Sequence, residues 1–360
     1  LLNPVAELER LENIRQLLKQ HSIDAMVISS PINRRYVSGF TGSAGVLLIS
    51  PERAVIVTDF RYIDQAASQA PDFEVKRWKD NFYQCLSELV KESGWGNIGF
   101  ESEQVVYSAY IEMKEKIAAS LVPLKETVLK QRMVKDHREI DILKRGAKIL
   151  DRAFAYIQTV ARPEMTEKEL ALELEIYLLK QGAEETSFRF IVASGHRGAL
   201  PHGTATNKVI NEGEMVTLDF GGIFEGYATD MTRTFVLGKS DQRQVEIYDI
   251  VYNAQQKACA ALRPGLQGCE VDAVARDLIS EAGYGSHFGH GLGHGLGLET
   301  HEQPVLNHLS KTVLEPGMVV TIEPGIYLPG WGGVRIEDML LVTENGSETL
   351  TNSPRELIVI

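Results

Sequence analysis

Cysteine is scarce in this sequence of 360 residues: Cys85, Cys259 and Cys269 are all there are, an odd number with no C-x-x-C pair among them. That excludes a disulfide framework, and a reducing, cytoplasmic compartment is the simpler expectation. Positive charge is also short. The 37 Lys and Arg residues against 49 Asp and Glu leave a net charge of −12, which excludes the basic face that non-specific nucleic-acid binding needs. No apolar run is long enough for a membrane-spanning helix, which takes about 18 residues or more. The opening LLNPVAELERLENIR is charged and helical in pattern, where a signal peptide would show a basic segment leading into an apolar run. Leu at position 1, in place of Met, is what a trimmed or renumbered chain would show. There is no G-x-S-x-G and no Walker A motif. The one glycine-rich run fails G-x-G-x-x-G at its third glycine, so dinucleotide binding is set aside.

The composition, 44% hydrophobic and 24% charged, is that of an ordinary soluble protein, and the length suits roughly two domains. In the first third, Leu8, Leu11, Ile14, Leu17 and Leu18 recur at helical spacing after Pro4. Short apolar runs at Ala25–Ile28, Val46–Ile49 and Ala54–Val57 read as strands, as does Asn97–Glu101; Tyr62–Ser68 and Phe82–Val90 read as helices. This alternation predicts an α/β layer domain over residues 1–130. FTGSAG (Phe40–Gly45) and TDFRY (Thr58–Tyr62) stand out inside it. A charged segment near residue 130 then leads into a second domain, 131–360, and an amphipathic helix over Glu139–Val160. Thr166 and Glu169 form a T-x-x-E capping box that opens a helix to about Gln181. Ser187–Gly203 reads as a strand and then a loop. Helices are predicted over Arg243–Leu262, stopped by Arg263-Pro264-Gly265, and from Glu270 to Ala282.

Two stretches in this domain repeat. Val216-Thr217-Leu218-Asp219 matches Val320-Thr321-Ile322-Glu323, and each leads to glycine, isoleucine and an aromatic. Each predicted hairpin carries a second acid, Asp230 or Glu337, 11 or 14 residues on. Such a duplication predicts a pseudo-two-fold α+β domain with its site at the centre. Side chains alternate across a strand, so Thr217 shares a face with Asp219, and Thr321 with Glu323. Four acids placed inside strands are costly, since strands disfavour acids. Two like charges about 4 Å apart repel by roughly 4 kcal/mol at an effective dielectric near 20. Divalent cations would relieve this. Between the two hairpins runs Ser286–Glu302, SHFGHGLGHGLGLETHE, which holds four of the nine histidines, His287, His290, His294 and His301. Its glycines are expected to leave room for a peptide backbone. Carboxylates with one imidazole suit Mn²⁺, Co²⁺ or Zn²⁺. Two such ions can activate a water and clamp a carbonyl or phosphoryl oxygen.

With these residues in place, the chain resembles the Xaa-Pro peptidases of the pita-bread metallopeptidase family, aminopeptidase P and prolidase. The resemblance rests on LDFG…TD-x-TRT, HG-x-x-H-x-x-G-x-x-x-H, IEPG-x-Y and G-x-RIED, and it spans the whole chain. It implies a creatinase-like N-terminal α/β domain and a pita-bread catalytic domain. Five metal ligands follow from it: Asp219, Asp230 and Glu337, the last two bridging the ions, with His294 and Glu323. They would hold two divalent ions, Mn²⁺ first and Co²⁺ or Zn²⁺ as alternatives. Glu323 is expected to accept the proton of the attacking water. His202, His290 and His301 would flank the substrate, with His290 or His301 bonded to the scissile carbonyl. Arg335 would orient a ligand, and Tyr327 either lines the site or merely packs. His287 and His308 read as ordinary loop histidines. The implied substrates are short proline-containing peptides, cut as aminopeptidase P or prolidase does, by a homodimer with no nucleic-acid or membrane partner. A metal-free creatinase-like amidinohydrolase and a non-catalytic peptide-binding relative are the alternatives; the intact set of carboxylates argues against both.

Overall fold

The computed structural model describes residues 4–360, with side chains from Leu8 onward. Its described residues form two compact units that divide between Arg132 and Met133.

The first unit is an α/β layer built on one six-stranded sheet. Its strands are β1 (Ala25–Ile28), β2 (Val46–Ile49), β3 (Ala54–Thr58), β4 (Glu74–Arg77), β5 (Asn97–Glu101) and β6 (Ser120–Leu124), in the order β4-β3-β2-β1-β5-β6. β1, β2 and β3 are buried along their whole length, which is why they read as unbroken apolar runs. The helices are α1 (Pro4–His21), α2 (Pro31–Ser38), α3 (Ile63–Gln69), α4 (Phe82–Ser93), α5 (Tyr107–Lys116) and α6 (Thr127–Met133). Sequence periodicity missed α2, because its polar residues show no apolar stripe. Pro31 at its first turn starts it instead. Glu101 takes the N–H groups of Ser29 and Ser30 at 2.7 and 2.9 Å just ahead of it. The FTGSAG stretch is tied to α2 by Arg34, whose guanidinium donates to the carbonyls of Gly42 and Gly45.

The second unit opens with α7 (His137–Val160) and α8 (Glu167–Lys180). The predicted box at the start of α8 is present in both directions: Glu169 N–H to Thr166 at 3.2 Å, and Thr166 N–H to Glu169 at 2.7 Å. Short strands β7 (Glu185–Thr186) and β8 (Ile191–Ser194) follow, so the strand predicted from Ser187 is shorter than expected. Next come β9 (Met215–Phe220), β10 (Gly222–Phe224), β11 (Tyr227–Ala228) and β12 (Met231–Val236). Helices α9 (Gln242–Ala261) and α10 (Gly268–Glu281) lead to β13 (Gly293–Gly295) and β14 (Glu302–Leu306). The chain finishes with β15 (Val319–Ile322), β16 (Gly325–Leu328), β17 (Gly332–Arg335), β18 (Asp338–Thr343), β19 (Gly346–Thr349) and β20 (Ile358–Val359).

The two repeated segments are more broken than simple hairpins. β9 pairs with β12, while β10 and β11 splay into a small separate sheet closed by a two-residue turn. Both turn residues, Glu225 and Gly226, have positive φ, 49° and 80°, as a type I′ hairpin turn requires. Likewise β15 pairs with β18, while β16 and β17 form their own pair. The duplication extends to the core. One apolar cluster joins α7 and α8 to β9 and β12; the other joins α9 and α10 to β15 and β18. Among the described residues, no helix is long and apolar enough to cross a membrane.

Candidate metal centre

The breaks in the duplicated strands position the acids. Asp219 lies within β9, opposite Thr232 of β12 and Ile191 of β8. The other three acids are not inside strands, contrary to expectation. Asp230 immediately precedes β12, Glu323 immediately follows β15, and Glu337 stands between β17 and β18. Strand ends leave backbone free to turn a carboxylate inward, which a continuous ladder would not.

All five expected ligands line one cleft of about 400 Å³, together with His202, His290, His301, Tyr327 and Arg335. Asp230, His294 and Glu337 each offer one ligand atom within 4.8 Å of the others. His294 Nε2 lies 3.4 Å from Glu323 Oε1 and 3.7 Å from Asp230 Oδ2. Its Nδ1 faces the Gly295 carbonyl at 3.1 Å. With Nδ1–H donating there, Nε2 is the free lone pair that a metal takes. Burial lowers the His294 pKa to about 4, so the ring is neutral near pH 7.

The carboxylates are strained by their own company. Burial, then the charges of Glu337, Asp219 and Glu323, raise the Asp230 carboxyl well above its usual range. Burial, then Glu323 and Asp219, do the same to Glu337. Glu323 keeps 18% of its side chain open to the cleft, yet loss of hydration pushes it up to about 8. Asp219 Oδ1 and Asp230 Oδ1 are buried with no hydrogen-bond partner. Orphaned carboxylate oxygens beside a neutral imidazole fit divalent cations, and no protein donor takes their place.

Hydrogen bonds orient the set from behind. Arg335 Nη2 holds Asp219 Oδ2 at 2.6 Å, and its Nε reaches Thr232 Oγ1 at 3.1 Å. Thr232 donates to Glu337 Oε2 at 2.7 Å. Thr321 donates to Glu323 Oε1 at 3.3 Å and accepts from the His294 N–H at 3.1 Å. Sequence parity had already put Thr321 on the site face, but it gave it no task. Arg335 also donates to the Tyr327 hydroxyl at 2.8 Å, which is 2.8 Å from His290 Nε2. Tyr327 is therefore part of the site. His290 has its other nitrogen on the Gly291 carbonyl at 2.8 Å, so both ring nitrogens are engaged within the protein. Of the two histidines expected at the scissile carbonyl, His290 or His301, His290 is thus the one already held by protein groups. His202 and His301 are exposed, and their rings make no hydrogen bond among the described residues. His301 packs against His294 with ring centroids 4.2 Å apart and the ring planes tilted by 43°. His287 bonds the Tyr327 carbonyl at 3.2 Å.

Two glycines of the run are also required by close packing. A Cβ on Gly293 would stand 1.9 Å from the Thr321 carbonyl, and one on Gly295 would stand 2.2 Å from that of Gln303. Gly293 and Gly295 let β13, which carries His294, press against its own neighbours, and Gly291 and Gly293 also line the cleft.

Residues 141–344 match the profile of metallopeptidase family M24, and residues 10–134 match the creatinase/prolidase N-terminal domain. The chain belongs to metallopeptidase family M24. Membership makes it a hydrolase and implies divalent metal at the centre described above. An Xaa-Pro dipeptidase of Pyrococcus horikoshii is 40% identical over 97% of this chain and 99% of that protein. Among solved structures, an Xaa-Pro dipeptidase from Bacillus anthracis superposes with a TM-score of 0.96 at 47% identity, covering 98% of this chain and all of that one. The X-Pro aminopeptidase from Thermotoga maritima gives a TM-score of 0.91 at 39% identity, covering 98% of this chain and 100% of that one. The M24 pita-bread fold of the second unit agrees with the duplicated strand pairs.

Proposed function

We propose that this M24 protein hydrolyses Xaa-Pro bonds in short peptides, with two divalent ions, Mn²⁺ first, held by Asp219, Asp230, His294, Glu323 and Glu337. The observation that carries this reading is the convergence of those five side chains on one cleft with two buried carboxylate oxygens unpartnered. When bound, the ions would supply Lewis-acid polarisation of the peptide carbonyl and make a water nucleophilic near neutral pH.

The remaining work falls to the chain. Glu323, whose side chain reaches the cleft, is suited to accept a proton from the attacking water at its carboxylate and to give it up again. His202 and His301, with ring nitrogens free at the cleft wall, would bond the scissile carbonyl oxygen as it becomes negative. An Xaa-Pro bond has no N–H to grip. The leaving proline nitrogen must therefore gain a proton, and a histidine in the same wall can deliver it. Arg335 and Thr232 hold Asp219 and Glu337 in place throughout.

The assay is direct. Purified protein, stripped with chelator and then supplied with Mn²⁺, Co²⁺ or Zn²⁺, is offered Ala-Pro, Ala-Pro-Gly and Met-Ala-Gly. Metal-dependent cleavage of an Ala-Pro bond is expected, with Met-Ala-Gly left intact. Cleavage only of the methionyl peptide, or equal rates with and without metal, would overturn the proposal.

A further inference from the structure

Two fixed cations line the cleft among the described residues, Arg335 and Arg189. Arg335 is 3% exposed and wholly committed: its donors go to Asp219, Thr232, Tyr327 and the Pro201 carbonyl. Arg189 differs in every respect. It is exposed, and it has no hydrogen bond or ion pair among the described residues.

Its place is set by a break in strand register. Thr186 pairs with Gly222, and Ile191 pairs with Asp219. Residues 187–190 therefore face only residues 220–221, so the chain bulges there by two residues. Bulges re-aim side chains and recur beside active sites. Here Phe190 turns into the core, while Phe188, Arg189 and Ile191 line the cleft. Ile191 is the direct partner of Asp219, and Arg189 is at most about 7 Å of chain from it. A long guanidinium is thus presented at the rim of a site whose floor is four carboxylates.

A peptide in this cleft brings its own charges. Its ammonium group finds acids in plenty. A free carboxylate, one residue beyond the scissile bond in an Xaa-Pro dipeptide, would be repelled by that acidic floor unless a cation meets it. We propose that Arg189 binds the free C-terminal carboxylate of the substrate, and so selects dipeptides over longer or blocked peptides. A planar guanidinium pairs with a carboxylate through two parallel N–H donors. Each further residue moves the carboxylate another 3.5 Å or so along the chain, out of register with the bulge. The inference rests on the Xaa-Pro reading and names its substrate class.

The test compares kcat/KM for Ala-Pro and for Ala-Pro-amide, which differ only in the terminal charge, in the Mn²⁺-supplied native protein and in Arg189→Ala and Arg189→Lys. The native acid-to-amide ratio is expected at about 10–100, the worth of one charge-assisted contact. It should fall to within a few-fold of one in Arg189→Ala, through KM, and return in part in Arg189→Lys. A native ratio near one, or an unchanged ratio in Arg189→Ala, overturns this inference and leaves Xaa-Pro cleavage standing. Failure of the native protein to cut either peptide with any of the three metals overturns both.

Discussion

Asp230 is 3% exposed, has one oxygen without a donor, and stands among three other carboxylates. Its two possible partners are a proton and a cation. Asp230→Asn removes the charge and keeps the shape, so it separates the two roles. Without metal the variant should melt about 2–4 °C above the native protein at pH 8, since roughly 1 kcal/mol of like-charge repulsion is gone. With metal it should bind fewer ions per chain by elemental analysis and lose Xaa-Pro cleavage with them. Native metal stoichiometry in this variant would remove Asp230 from the ligand set. Thr232 makes a finer test. Thr232→Val deletes the hydroxyl that donates to Glu337 and accepts from Arg335. A supporting hydrogen bond of this kind is worth about 10- to 100-fold in metal affinity, and a Co²⁺ titration followed by its absorption band would read that loss.

At the scale of the element, β13 shows how the glycines matter. Gly293→Ala would drive a methyl into the Thr321 carbonyl at 1.9 Å and force β13 away from the strand it lies against. The expected cost is about 1–3 kcal/mol, as for overpacking elsewhere. It should appear as a lowered melting temperature together with weaker metal binding, because His294 is the next residue. A variant that melts normally and binds metal normally would mean β13 has room to spare. The sequence made much of this architecture legible. Buried strands such as β2 announce themselves by unbroken apolar runs, and the Thr166–Glu169 box marks a helix start. The acids could be matched in pairs because the duplication preserved their spacing. What could not be read were breaks in pairing. Nothing in the alternation around Asp230 or Glu337 says that a strand ends there, since both sides keep the same parity. The bulge at 187–190 is likewise invisible, because register depends on a partner strand far away in sequence. The reach from Arg335 to Tyr327 and on to His290 joins three segments by side-chain length alone, and no spacing rule encodes it.

At the scale of the whole molecule, the site should set how stability depends on pH. In the metal-free protein two sets of groups pull in opposite directions. His290 and His294 are lowered to about 4, so the folded chain holds fewer protons than the unfolded one between there and the usual histidine range near 6.5. Over that window they make stability rise with pH. Glu323 is raised to about 8, and Asp230 and Glu337 are raised in the same sense. From the ordinary carboxylate range up to about 8, Glu323 holds more protons in the folded chain than in the unfolded one, so it makes stability fall as pH rises, and Asp230 and Glu337 act in the same direction. Below about 6.5 the two sets offset each other; between about 6.5 and 8 only the carboxylates act. Chelator-treated protein should therefore lose stability across that upper interval, by roughly 1–2 kcal/mol from Glu323 alone. Divalent metal reverses the sign, because ions compete with the same protons and bind better as pH rises. At a hundred times its dissociation constant, a bound ion adds about 2.7 kcal/mol. Melting curves at pH 6.5, 7.2 and 8.0, with chelator and with Mn²⁺, should thus slope in opposite directions. Parallel slopes would mean that the four acids carry no shared charge burden and that the centre is not held together by metal.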